Sequence, residues 1–308
     1  MRDAFVDELT QLAHTNPRIM CLTADLGYKI FDKFSGQHPG RFLNMGVSEA
    51  NMVSVAAGLA IRGWRPVTYS IVPFATARCL EQIRNDVCEM ELPVLVVGVG
   101  GGYAYGVNGA THHGVDDVAI MRAMPGMTVL CPCDPLETRG ALRAALSLDG
   151  PAYLRLARSG EPRLTDPDAP FVLGRPNVLR KGKSVAILAC GPVAKEALEA
   201  AEELNREGLD PMVVSVHTIK PIAGLAQFVR EHRFEHIFVV EEHGPCGCLG
   251  EALAAELADS SERPTVTRIC APDKFFRETG SQCFMFRLAG IDGPAIARRV
   301  TEHMVGGA

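Results

Sequence analysis

The sequence predicts an α/β protein of two domains, each a mainly parallel sheet flanked by helices. Three observations predict it. Strand-like apolar runs alternate with helical stretches along most of the 308 residues, the pattern that builds parallel sheets from strand–helix–strand units. The run LPVLVVGV at 92–99 is continuously apolar, as a strand covered on both faces must be. Residues 159–183 are rich in Pro, Asp and Gly, and the alternation restarts at Ser184. The chain therefore divides into a first domain over 1–158, a linker over 159–183 and a second domain over 184–308.

In chain order, 2–14 reads as an amphipathic helix and 18–23 as a strand ending in the polar turn Ala24-Asp25-Leu26-Gly27. A looser charged segment, 28–40, leads to a strand at 41–45. Next come a helix over 50–61, a strand at 66–70, a long helix over 73–91, and the buried strand at 92–99. A Gly-rich loop over 100–114 precedes a helix at 115–124, a strand at 127–132, a helix at 135–148 and a strand at 152–157. The second domain repeats the alternation with strands at 184–190, 211–217, 236–242 and 265–271 and helices at 192–207, 224–232, 248–259 and 293–304. Ligands of such sheets gather at the carboxyl ends of strands. Asp25, Phe74 and the 100–114 loop all follow strands, so they are expected to converge on one edge.

Composition narrows the function. Apolar residues make up 47% and charged residues 22%, with a net charge of −5, which gives no reason to expect nucleic acid or an anionic membrane as partner. No apolar run is long enough to span a bilayer, and the first residues do not read as a signal peptide, so a cytoplasmic protein is expected. The ten cysteines include Cys131-Pro-Cys133 and Cys246-Gly-Cys248, but one intervening residue and no matching His or Cys pair do not make a zinc site. Free thiols, many of them small buried hydrophobes such as Cys21, Cys190 and Cys270, are expected, and no metal is assigned to this chain.

The most informative stretch is NMGVSEANMVSVAAGLAIRGWRP at 44–66. Ser48 can cap the helix, and Glu49 then lies in its first turn, where free N–H groups and the helix dipole favour negative charge. The helix behind it is apolar nearly all round and is expected to be buried. Glu49 is thus either a simple complement to the dipole or a carboxylate at the mouth of a buried site. Phe74 stands at a helix entry, and Gln82-Ile83-Arg84-Asn85-Asp86 forms a polar patch inside that helix. The loop GGGYAYGVNGATHHG is neither a Walker A nor a dinucleotide fingerprint. Its bare reading is backbone close to a small ligand, with His112 or His113 serving proton transfer, an oxyanion or only local structure.

Taken together, RFLNMGVSEANMVSVAAGLAIRGWRPVTYSIVPFATARCLEQIRND, NGATHHGVDDVAIMRAMPGMTVLCPCDPLET, GPAYLRLARSGEP and VVEEHGPCGCLGEALAAELA with Asp273-Lys274-Phe275 resemble the carboxyl-terminal half of transketolases, most closely the split transketolases whose halves are separate polypeptides. The resemblance implies a first domain that binds the aminopyrimidine of thiamine diphosphate. Glu49 matches the carboxylate that hydrogen-bonds a ring nitrogen and activates the cofactor, and Phe74 the aromatic that stacks on the ring. Asp25 and Leu26 match a segment lining the cofactor pocket. His112 matches a histidine contacting the donor's oxygens, and Arg158 an arginine that binds a sugar phosphate. Arg2 is a second candidate for that group.

The sequence departs from the family pattern at the sugar end. Val107-Asn108 replaces a Glu-Asp pair, so a charged donor-reading residue becomes the neutral Asn108. Gly100 stands where a histidine is usual, His113 where Gln is common, and Lys29 where a phosphate-binding Ser often lies. A transketolase-type reaction on an unusual donor or acceptor is expected. The Gly-Asp-Gly motif that holds Mg²⁺ on the diphosphate is missing; Ile291-Asp292-Gly293 is a near match with no Asn after it. The resemblance therefore implies a partner chain carrying the diphosphate domain and most of the Mg²⁺ coordination, in a heterotetramer of two chains of each kind. The expected activity is transfer of a two-carbon ketol unit from a ketose, or its phosphate, to an aldose. The alternatives are thiamine-dependent acyl transfer from a 2-oxo acid such as pyruvate, as in 1-deoxyxylulose-5-phosphate synthases or 2-oxo acid dehydrogenase beta subunits, and a non-catalytic stabilising subunit.

Overall fold

A computed structural model of the chain describes residues 1–27, 29–158, 160–259 and 263–306. Ser159, the first residue of the expected linker, and the end of the second domain beyond 306 lie outside them. The first sheet is built from β1 (Ile19–Thr23), β2 (Phe42–Asn44), β3 (Arg65–Ile71), β4 (Leu95–Val99), β5 (Thr128–Leu130) and β6 (Ala152–Leu156). All six run parallel. β1, β4 and β6 are buried along their whole length, which is why they read as continuous apolar runs. The flanking helices are α1 (Arg2–Thr15), α2 (Asp32–Gln37), α3 (Glu49–Ile61), α4 (Val72–Ala75), α5 (Leu80–Gln82), α6 (Asp117–Ala123) and α7 (Pro135–Ser147).

The second sheet holds β7 (Asn177–Arg180), β8 (Ala186–Cys190), β9 (Met212–Ser215), β11 (His236–Glu241) and β12 (Thr265–Cys270), in the order β12-β11-β8-β9-β7. Only β7 is antiparallel. Around it lie α8 (Ala194–Arg206), α9 (Ala223–His232), α10 (Leu249–Leu257), α11 (Gln282–Ala289) and α12 (Gly293–Gly306). The remaining strand, β10 (Thr218–Lys220), leaves this sheet and pairs antiparallel with β5, so the first sheet reads β10-β5-β6-β4-β3-β1-β2. The two mainly parallel, helix-flanked sheets match the fold class expected from the sequence, and no helix among the described residues is long and apolar enough to cross a membrane.

Several local expectations are corrected. The segment expected to be only linker contributes β7, which hydrogen-bonds to β9. The long helix expected over 73–91 is broken into α4, a 3₁₀ turn at Ala77–Cys79, α5 and a π-helical turn at Ile83–Cys88. The break is at Thr76, whose hydroxyl donates to Val72 O at 2.7 Å and whose backbone (φ −116°, ψ −80°) leaves the helical region, the usual effect of a short polar side chain competing for helix carbonyls. Ser48 stands at the N-cap of α3 but its side chain makes no capping hydrogen bond. α3 itself is not buried all round: Met52, Val53, Ala56 and Ala60 face the core, while Asn51, Gly58 and Ile61 are exposed.

Candidate functional site

Because β1, β2, β3 and β4 are parallel, their carboxyl ends share one edge. The segments that follow them deliver most of the candidate residues. Glu49 opens α3 just after β2 and is only 2% exposed. A charged carboxylate so deep must be compensated. Arg78 does this: its Nη1 donates to Glu49 Oε2 at 2.8 Å. Ser70, at the end of β3, approaches Oε1 at 3.4 Å, a long and weak hydrogen bond. Arg78 is 45% exposed, and its guanidinium carbon lies 4.2 Å from the centroid of the Phe74 ring. Phe74 in turn meets the His112 ring edge-on at 5.3 Å. Thr111 Oγ1 and His112 Nδ1 are 3.0 Å apart. Glu49, Arg78, Phe74 and His112 are thus linked in that order by successive contacts.

Asp25, Leu26 and Lys29 line a cavity of about 370 Å³ with Thr23, Ser35 and Asn44. Asp25 and Lys29 have φ of +53° and +63°. Non-glycine residues are held in that left-handed region at a cost of order 1–3 kcal/mol, and such strain concentrates at functional sites. Asn44 holds the turn in place. Its Oδ1 accepts from the backbone N–H of Asp25 (2.9 Å) and of Gly46 (3.0 Å), and its Nδ2 donates to Asp25 Oδ1 at 3.1 Å. Through Asn44 the Asp25 turn is tied to the turn that introduces Glu49.

The glycine-rich loop differs from its bare reading. Gly100 and Gly102 have φ of +83° and +61°, which favours glycine. The space their missing side chains leave is filled by protein: the Tyr105 ring lies against Gly100, Arg155 against Gly101 and Glu242 against Gly102. The backbones of Gly102 and Gly114 pair at 2.7 and 2.8 Å and close the loop at its base. Only the loop's outer part is open, where Asn108 is exposed. His113 is 4% exposed, with its ring against Tyr103 at 5.2 Å. Burial pushes its pKa down, favouring the neutral ring. Arg158 is placed beside Tyr105, its guanidinium carbon 5.6 Å from that ring, and its carbonyl accepts from the backbone N–H of Arg2 at 3.1 Å.

Beneath the loop lies a buried network that the sequence reading did not single out. Arg155 Nε pairs with Asp117 at 3.0 Å, and its Nη2 donates to the carbonyls of Gly114 (2.6 Å) and Glu242 (2.9 Å). Tyr153 OH donates to the same Asp117 oxygen at 2.6 Å. Glu242 Oε1 accepts from Tyr103 N–H at 2.5 Å and from Gln282 Nε2 at 3.0 Å. Burial pushes the Glu242 carboxyl up to about 7, against the pull of Arg155. The signal for this network was present: a charged residue in the middle of the apolar strand AYLRLA must be paired. Arg78 and Asn44 were missed because nothing in their spacing marks them. Among the described residues no group of three or more His, Cys, Asp or Glu side chains is arranged to hold a metal ion.

Residues 1–162 match the family described as transketolase, pyrimidine binding domain, and residues 174–296 match transketolase, C-terminal domain. The chain is 38% identical to the 6-deoxy-6-sulfo-D-fructose transketolase subunit SqwH of Clostridium sp. (strain MSTE9), over 98% of this chain and 94% of that protein. It is 33% identical to an apulose-4-phosphate transketolase subunit of Phocaeicola vulgatus, over 98% of this chain and 97% of that protein. A solved structure described as a split gene transketolase, inactive beta4 tetramer, superposes with a TM-score of 0.88 at 34% identity, covering 98% of this chain and 96% of that one.

Proposed function

The chain belongs to the transketolase family and groups with the C-terminal subunits of its split-gene members; on that premise we propose that it supplies the aminopyrimidine half of a thiamine diphosphate site and that a partner chain supplies the diphosphate half. The observation that carries this reading is the cluster of Glu49, Phe74 and His112. A carboxylate 2% exposed, one oxygen of which has only a long bond to Ser70, lies beside an aromatic ring bridged to it by a planar cation. That donor set fits a planar, weakly basic ring: Glu49 would share a proton with a ring nitrogen, Phe74 would stack on its face, and Asp25 and Leu26 would line its surroundings. The bound cofactor supplies the nucleophilic carbon with which a two-carbon ketol unit is taken from a ketose and passed to an aldose.

In this reading His112 hydrogen-bonds the donor's oxygens as charge develops on them. Lys29, Asn108 and Arg158 provide the polar and phosphate-binding end; His113, 4% exposed and packed against Tyr103, is given no contact with substrate. The relatives' names refer to a sulfonated deoxyketose and to apulose 4-phosphate, and the uncharged Asn108 agrees with a similarly unusual donor or acceptor here. That same Asn108 is what favours a second reading, acyl transfer from a 2-oxo acid, which needs no charged residue to read a sugar hydroxyl. Product analysis with pyruvate against ketose phosphates separates the two.

The partner proposal rests on two further facts. The sequence contains no Gly-Asp-Gly motif, so the hard-cation ligands for Mg²⁺ on the diphosphate have to come from elsewhere. Leu43 and Val47 lie in the segment leading to Glu49, and Val107 lies in the loop next to Asn108; all three are large apolar residues left exposed, and exposed apolar surface beside a site marks association. An assembly of two chains of each kind is proposed. In the assembled complex, Glu49→Gln is expected to lower turnover about 10²–10⁴-fold, the range for losing a proton-transferring group, with folding and assembly unchanged. Turnover near that of the unaltered complex refutes the role given to Glu49.

A further inference from the structure

We propose that Arg78 competes with the aminopyrimidine ring for the contacts of Glu49 and Phe74, and that cofactor binding requires it to swing out. The inference rests on the reading of Glu49 and Phe74 given above and adds which side chain the ring must displace. A ring that stacks on Phe74 while hydrogen-bonding Glu49 must fill the space between them. The guanidinium fills that space: one Nη is 2.8 Å from Glu49 Oε2, and Cζ is 4.2 Å from the Phe74 centroid. Guanidinium is planar, with N–H donors along its edges and a face that stacks on aromatic rings. It therefore makes both kinds of contact expected of the cofactor ring, and the two occupants exclude each other.

The arrangement also accounts for how a carboxylate only 2% exposed is tolerated in the fold. A buried charge without a partner is strongly destabilising, and Arg78 supplies the counter-charge. Arg78 is itself 45% exposed, so its long side chain can turn into solvent without breaking the core. Arg155 is the contrasting case: 3% exposed and fixed to Asp117 and two carbonyls, it has no such exit.

Because that space is open only in the fraction of molecules with Arg78 turned out, the apparent affinity for the ring is reduced by that fraction. The test is a calorimetric titration of the full chain, and of its Arg78→Met, Arg78→Lys and Arg78→Met/Glu49→Gln forms, with 4-amino-5-hydroxymethyl-2-methylpyrimidine. Thermal unfolding and circular dichroism check that each form is folded. Arg78→Met is expected to bind the pyrimidine roughly ten-fold more tightly than the unaltered chain. Arg78→Lys is expected to fall between them, because an ammonium pairs with Glu49 but does not lie flat on Phe74. The double variant is expected to lose the gain.

If Arg78→Met binds no more tightly than the unaltered chain, or binds nothing, the competition proposal is overturned; the role of Glu49 then still stands or falls on turnover of the Glu49→Gln complex. If Arg78→Met gains affinity and the double variant keeps it, the ring does not engage Glu49, and the reading of Glu49 fails instead.

Discussion

Two buried glutamates, Glu49 at the start of α3 and Glu242 just after β11, show opposite ways of keeping a carboxylate inside a protein. Both are nearly inaccessible, at 2% and 1% exposure. Glu49 is compensated by one half-exposed side chain, Arg78, and by a long bond from Ser70. Glu242 is held by a backbone N–H and a glutamine amide on one oxygen, and its Oε2 has no hydrogen-bond partner among the described residues. The first arrangement can be exchanged for a ligand by moving a single side chain. The second can be altered only by opening the packing between the loop and the second domain. The carboxylate proposed to act on the cofactor is thus the one with a replaceable partner rather than the more deeply buried one.

The comparison can be broken at several points. The largest effect is expected from Glu49→Gln in the assembled complex, where turnover should collapse with little change in unfolding temperature; the inverse result would make Glu49 the structural member of the pair. Next comes Arg155→Met. It leaves Asp117 buried without its ion-pair partner and removes the donors to the Gly114 and Glu242 carbonyls. A loss of about 3–5 kcal/mol of stability is expected in urea unfolding of the chain. A loss below ~1 kcal/mol would mean that the network does not hold the loop to the second domain.

A smaller effect is expected at Glu242, and only over part of the pH range. Burial raises its folded-state value from 4.5 to about 7, with Tyr103, Arg155 and Asp117 as its titratable neighbours. Between those two values the folded chain binds a proton that the unfolded chain has released. Stability therefore falls as pH rises from 4.5 to about 7 and then levels off. The total is roughly 3 kcal/mol, at 1.36 kcal/mol for each pH unit between the two values. Glu242→Gln should flatten this slope in thermal unfolding followed from pH 5 to pH 8, roughly the window set by the shift. An unchanged slope would show that Glu242 is charged throughout.

Much of this was legible in the sequence because the physics is local. Strands buried on both faces read as apolar runs, and Glu49 stood out as a lone charge between a Gly-Val-Ser turn and an apolar helix. The short strands β7 and β10 were not legible. With four and three residues they show no usable periodicity; β7 adds to the edge of the second sheet beside β9, and β10 pairs with β5 where the two domains meet. The break at Thr76 was hidden because a threonine hydroxyl can either point away from a helix or capture one of its carbonyls. The glycines at 100–102 were ambiguous for a similar reason. Sequence shows that something approaches the backbone there, but not whether it is a ligand or, as at Gly100 and Gly102, Tyr105 and Glu242. Arg78 belongs to the same class: its importance lies in bridging Glu49 and Phe74 across a turn.

The central claim is that this chain holds half of a cofactor site. Its most direct test is calorimetric titration of thiamine diphosphate with Mg²⁺ into the chain alone and into the chain assembled with the partner recovered by co-purification. Saturable, tight binding only in the assembly is the predicted result, and equally tight binding by the chain alone would contradict the account.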